Sequence, residues 1–154
     1  MKQVVISLFV LLQMACQSPP VFEQYTELPD ECWEKQQMLK FNALLPDSGS
    51  YRISCHIRHT TRYKMTNLWC FISANDSTTT RFRDTVNLNI AESDGRWLGK
   101  GGHLKHITQE IQHNPVILPR GFVTFIIQQG MPMQALKGIR SIGIKIEKTE
   151  EQKM

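Results

Sequence analysis

The chain has 154 residues, 41% hydrophobic and 21% charged, with a formal net charge of +4. Those fractions are ordinary for a globular protein, and the length supports one domain with a self-sufficient core. The basic residues are scattered, apart from loose groups at Arg52-Arg58-Arg62-Lys64 and Arg81-Arg83, which is too thin a stripe for a nucleic-acid partner.

The N-terminus reads as an export signal. Lys2 supplies a positive n-region, and Val4 to Leu12 form an apolar h-region broken only by Ser7. A permanent membrane helix needs ~20 apolar residues, so this run is too short to span. It fits a cleavable signal. Ala15 followed at once by Cys16 resembles the end of a bacterial lipoprotein signal, in which the cysteine becomes the acylated mature N-terminus. Gln13 stands where that signal usually has an apolar residue, with Leu12 one place further back. An ordinary secretory signal with Cys16 incidental and a chance apolar N-terminus are the rival readings. On the lipoprotein reading, residues 1–15 are the signal peptide and Cys16 is the lipidation site. Residues 16–20 are then a Pro-stiffened tether. Removing 15 residues from 154 leaves 139 and, without Lys2, a charge of +3 (17 basic less 14 acidic).

The body, residues 21–148, reads as β-structure. Val21–Thr26 and Met38–Leu44 are candidate strands, the second stopped by the turn chemistry of Pro46-Asp47-Ser48-Gly49-Ser50. Tyr51–His59 alternates, with Tyr51, Ile53, Cys55 and Ile57 on one face. Asn67–Ser73 is apolar on both faces, as suits a central strand, and places Trp69 in the core. Arg81–Ala91 resumes alternation, but Asp84 interrupts its apolar face, so a buried structural Asp84 paired with Arg81, Arg83 or Arg96 is expected. Glu92-Ser93-Asp94-Gly95 is a hairpin signal. Trp97 follows it, expected in the core where Gly99-Lys100-Gly101-Gly102 lets the backbone pass close. That glycine-rich run lacks the spacing of a phosphate loop.

Leu104, Ile107 and Ile111 have helical spacing, ended by Asn114-Pro115, and predict one short amphipathic helix. His103, His106, Glu110 and His113 would form its outer side. That could be a metal face, but the solvated side of an amphipathic helix is the better reading, so no metal and no other cofactor are expected. His56 and His59 fall on opposite faces of their strand and cannot chelate together. Val116–Leu118, Phe122–Gln128 and Ile139–Glu147 complete the strands, with a loop over residues 130–138 and a charged tail at 149–154. About eight short strands and one short helix predict a mainly β protein, an antiparallel β-sandwich.

Four cysteines leave Cys32, Cys55 and Cys70 once Cys16 is set aside. An odd number without C-x-x-C spacing is neither a disulfide framework nor a zinc motif. Cys55 and Cys70 read as core residues, and a bridge between them requires neighbouring strands.

Several segments together resemble one family. They are Asn67-Leu68-Trp69, Arg83-Asp84-Thr85-Val86, Asp94 to Gly101, Gln128-Gln129-Gly130-Met131, Leu136 to Ile139 and Ile142 to Lys148. The chain is similar across nearly its whole length to the gliding motility lipoprotein GldH family of the Bacteroidota. Pro132 stands where that family often has a basic residue. The resemblance implies an outer-membrane-anchored lipoprotein without enzymatic activity. Its partners would be the membrane, through acyl chains on Cys16, and envelope or motility-machinery proteins. Surface export in these bacteria tends to accompany acidic residues after the cysteine. Gln17 to Pro20 has none, which favours the periplasmic face. The alternative is a lipid-anchored glycan-binding sandwich, for which Trp33, flanked by Glu31, Glu34 and Lys35, is the candidate ligand-binding residue.

Overall fold

The computed structural model describes residues 19–111 and 115–149. Eleven strands follow in chain order: β1 (Phe22–Glu27), β2 (Cys32–Glu34), β3 (Leu39–Leu45), β4 (Gly49–His59), β5 (Asn67–Asn75), β6 (Thr80–Asn89), β7 (Lys105–Glu110), β8 (Val116–Leu118), β9 (Gly121–Gln129), β10 (Ala135–Lys137) and β11 (Ile139–Lys148). One sheet has the order β1-β11-β4-β7, with β8 also on β4; the other is β3-β9-β5-β6. β2 and β10 form a two-stranded ribbon. All pairings are antiparallel. This is the sandwich architecture that the alternating pattern predicts.

The layers follow from sequence period. β3 alternates without a break, sending Leu39, Phe41, Ala43 and Leu45 inward. β9 sends in Val123, Phe125 and Ile127. From the facing sheet come Tyr51, Ile53, Cys55 and Ile57 of β4 and Ile142, Ile144 and Ile146 of β11. Burying a large apolar side chain contributes ~1.5–3 kcal/mol, so these rows hold the two sheets together.

Eight strands lie where the sequence pattern puts them, to within a residue or two at their ends. The predicted helix is a strand. Ile107 and Ile111, four apart, satisfy a period of two as well as one of 3.6; Ile107 of β7 and Ile111 just after it both point inward while Leu104 is exposed. Its partner settles the choice, because Ser54–His59 of β4 offers an open edge that β7 fills in register. His103 lies in the loop before β7, His106 and Glu110 lie on its solvent side, and His113 lies outside the described residues.

The two remaining strands, β2 and β10, are three residues each and hidden by charged neighbours. Trp33, expected exposed, is fully buried (0% accessible) opposite Leu136. Its Nε1–H donates to the Gln37 carbonyl at 3.0 Å. Trp69, expected in the core, is 42% exposed. The reason is register: β5 sends Leu68, Cys70, Ile72 and Ala74 inward, which turns Trp69 and Phe71 outward. Asp84 is only half-buried and accepts from the Thr85 N–H at 2.7 Å. It lies on β6, an edge strand whose first half is thinly covered, while Arg81 pairs with Asp76 instead.

Candidate functional site

Three surfaces carry the polar and apolar groups that packing does not consume. The first is the outer face of the β1-β11-β4-β7 sheet. Register aligns Tyr25, Gly143, His56 and Thr108 in one row across four strands. Gly143 has no side chain, so the Tyr25 ring crosses it and stacks on His56, with centroids 5.0 Å apart. A Cβ on Gly143 would stand 2.7 Å from that ring. The Arg58 guanidinium caps the other part of the cluster, 4.2 Å from the Tyr25 centroid, a cation–π contact.

His56 is almost fully covered here. Its Nδ1 lies 2.8 Å from Thr108 Oγ1. Its Nε2 approaches Glu23 Oε1 at 3.1 Å but is not aligned as a hydrogen bond, so that contact is electrostatic. Burial pushes the His56 pKa down; Glu23 opposes this, while His106, Lys145 and Arg58 add to it. Its environment therefore favours the neutral imidazole. Among the described residues no three His, Cys, Asp or Glu side chains are grouped to hold a metal ion.

The second surface is the outer face of the other sheet. Trp69 and Phe71, 42% and 48% exposed, lie in line on β5. Phe71 faces Gln128 on one side and Thr85 on the other, and Trp69 faces Asn87. Asn67 Nδ2 donates to Asn87 Oδ1 at 2.8 Å. A shallow groove lined by Met38, Phe71, Arg83, Ile126 and Gln128 runs beside Phe71.

The segments that carry the family resemblance turn out to be supports for these faces. Gln129 is buried; its Nε2 donates to the Met133 carbonyl and its Oε1 accepts from the Met131 N–H. The Gly130 N–H donates to the Trp69 carbonyl at 2.7 Å, and the buried Met131 sulfur accepts from the Trp69 N–H. Pro132 is exposed beyond them. In the other segment, Asp94 Oδ1 accepts from the Arg96 N–H, and Gly95 takes a φ of +85°. The turn seats Trp97 5.0 Å from the His59 ring, and a Cβ at Gly99 would stand 3.0 Å from Ile107. The close backbone passage expected here is thus present, at Gly99 against β7, but Trp97, expected in the core, is half-buried and packs on the core's edge.

The third surface is the end of the sandwich where the chain enters. The Val21 N–H donates to the Ile146 carbonyl, and exposed Pro19 and Pro20 precede it. Cys16 and the rest of residues 1–18 lie outside the described residues. Cys32, Cys55 and Cys70 are free. Cys55 and Cys70 sit on opposite sheets rather than on neighbouring strands. No helix among the described residues is long and apolar enough to cross a membrane.

Comparison with known proteins adds the following. The profile of the family described as GldH lipoprotein matches residues 20–146. A gliding motility lipoprotein GldH homolog of Christiangramia forsetii is 26% identical over 150 residues, covering 92% of this chain and 91% of its own. Among solved structures, a ruminal GH26 endo-beta-1,4-mannanase aligns with a TM-score of 0.45 and 10% identity, over 89% of this chain and 22% of that one. A CBM35 module from Cellvibrio japonicus aligns with a TM-score of 0.42 and 14% identity, over 88% and 94%. No functional reading rests on likenesses that weak.

Proposed function

The chain belongs to the GldH lipoprotein family, and on that premise we propose that it is a non-enzymatic, lipid-anchored component of the gliding and cell-surface machinery. Residues 1–15 are removed, Cys16 carries the acyl chains, and residues 16–20 tether a domain spanning 21–148. The observation that carries this reading is the place of Cys16, four positions after the end of the h-region at Leu12 and five positions ahead of Val21, where strand pairing starts. Each buried methylene contributes ~0.8 kcal/mol, and one chain alone binds marginally. The three chains usual in this lipoprotein class hold the domain at the membrane, which raises its effective concentration for membrane partners. The outer membrane is the proposed location and its periplasmic face the proposed side, since residues 17–20 carry no acid. The test is a Cys16→Ala variant, expected to take up no labelled palmitate and to leave the membrane fraction; continued labelling would overturn the assignment. Protease shaving of intact cells decides the side.

A second reading, the glycan-binding sandwich, is favoured by one observation. Trp69 and Phe71 are exposed in line and flanked by Asn87, Thr85 and Gln128, the mix of aromatic faces and amide groups on which sugar rings stack and hydrogen-bond. Trp33, being buried, offers no such platform. Retention on polysaccharide gels that is lost in Trp69→Ala supports this reading, and no retention on a broad panel removes it.

A further inference from the structure

The large apolar side chains left most exposed by the fold gather at the tether end. Ile117 and Phe122 are each 71% exposed and Leu44 is 59% exposed, more than any other large hydrophobic residue among those described. Topology brings them there. Phe122 is the second residue of β9 and pairs with Leu44 near the end of β3. Ile117 is the middle residue of β8, which pairs with the first three residues of β4. The turn Pro119-Arg120-Gly121 joins β8 to β9 across this end. β1 enters beside it, because Phe22 pairs with Ile146, Ile146 with Ile53, and Tyr51 with both Lys148 and Val116.

Charge is arranged at the same end. A shallow concavity lies between the β5–β6 turn and the β8–β9 turn, lined in part by Asp76, Arg81, Arg120 and Phe122. That is two guanidiniums against one carboxylate. Asp76 is occupied by Arg81, and Asp47 by Lys148 at 2.8 Å. Arg120 is exposed in the tip turn.

Chain length then fixes what this end meets. Val21 lies five positions after Cys16, and an extended chain advances at most ~3.6 Å per residue, or about 18 Å in all. An acylated Cys16 therefore keeps this end within about 18 Å of the lipid headgroups. We propose that the tether end is a membrane-docking surface for a phospholipid leaflet. Phe122, Leu44 and Ile117 enter the headgroup–acyl boundary, and Arg120 meets headgroup phosphates. Ile117 projects from one sheet and Phe122 and Leu44 from the other, so the sandwich stands on its end. An apolar side chain seated this way reaches ~5–10 Å into the interface. The proposal rests on the anchor at Cys16 and adds an orientation that a tether alone leaves free.

The test uses the full acylated protein in vesicles of phosphatidylethanolamine and phosphatidylglycerol. Photoreactive benzoylphenylalanine replaces Phe122 in one preparation and Phe71 in another. Both sites are exposed, so folding is not at risk. About tenfold more lipid adduct is expected at position 122 than at 71, because only the docked end lies within ~5–10 Å of the acyl region. In the Phe122 preparation, Arg120→Gln should lower that yield. Equal yields at 122 and 71, with labelled palmitate on Cys16, overturn the docking surface and leave the anchor standing. Absence of palmitate from the unsubstituted chain overturns both.

Discussion

Cys55 and Cys70 point into the core from opposite sheets, and burial pushes the Cys55 thiol up to about 12 and the Cys70 thiol well above its ordinary value. Thiolate is the nucleophile in alkylation, so neither side chain presents a reactive form at neutral pH. Cys32 is half-buried, and burial, then Glu34, raises its pKa more mildly. Iodoacetamide should therefore label one site, Cys32, slowly in the folded Cys16→Ala protein, and three sites after denaturation. Mass spectrometry of the folded sample showing modified Cys55 or Cys70 would contradict this packing. The inward placement of both cysteines was legible from strand alternation, since each shares a period of two with isoleucine or leucine neighbours. The tryptophans were not legible in the same way. Neighbouring charges made Trp33 look exposed, yet one alternate residue in a three-residue strand can be wholly buried. In Asn67–Ser73 both faces are apolar, so no pattern in the sequence said which face was the core.

At the scale of elements, β1 pairs along its length with β11 alone, and at Gly143 its Tyr25 ring passes directly over the β11 backbone. A Cβ there would meet the Tyr25 ring at 2.7 Å and the Gln24 carbonyl oxygen at 2.9 Å. The second contact is backbone and cannot rotate away, so β1 must shift. Gly143→Ala should destabilise by ~1–3 kcal/mol, the usual cost of overpacking. Amide hydrogen exchange should quicken through Phe22–Glu27. Gly102→Ala, with nothing within 4 Å of the added carbon, should leave melting and exchange unchanged. A Gly143→Ala protein that melts like the parent would show that β1 is loosely held. The role of Gly143 escaped sequence reasoning because a glycine within an isoleucine-rich strand gives no sign of what crosses it. The crossing residue lies 118 positions earlier, on a strand whose partner only the topology defines. The same limit applies to β7. Ile107 within it and Ile111 just after it fit either period, and the open edge of β4 that selects a strand is a tertiary fact.

At the scale of the whole molecule, the two buried histidines couple folding to pH. His56 lies on the outer face of one sheet among Glu23, Tyr25, Arg58, Lys145 and His106. His59 faces the core side near Tyr63 and Trp97. Its Nδ1 donates to the Thr60 carbonyl at 3.2 Å, and its Nε2 is buried without a hydrogen-bond partner. Burial lowers both pKa values from 6.5; for His59 the Thr60 carbonyl opposes this and Lys105 adds to it. The unfolded chain therefore binds these protons at higher pH than the folded one. The sign follows from linkage: stability rises with pH wherever the unfolded state holds more protons. The contribution of both residues is complete above 6.5, is lost as pH falls from there toward the folded-state values, and levels off below them. Melting temperature should thus hold nearly level above 6.5 and drop on acidification from there toward about pH 5, within the range in which histidine changes charge. This is separate from the carboxylate range, where Asp47 and Asp76, both lowered, give up their own contributions. A His56→Gln, His59→Gln double variant should start less stable and show a flatter profile over that interval. A parent protein whose melting temperature holds level or rises toward pH 5 would mean that at least one imidazole is charged in the folded state, with Glu23 beside His56 the first pair to re-examine.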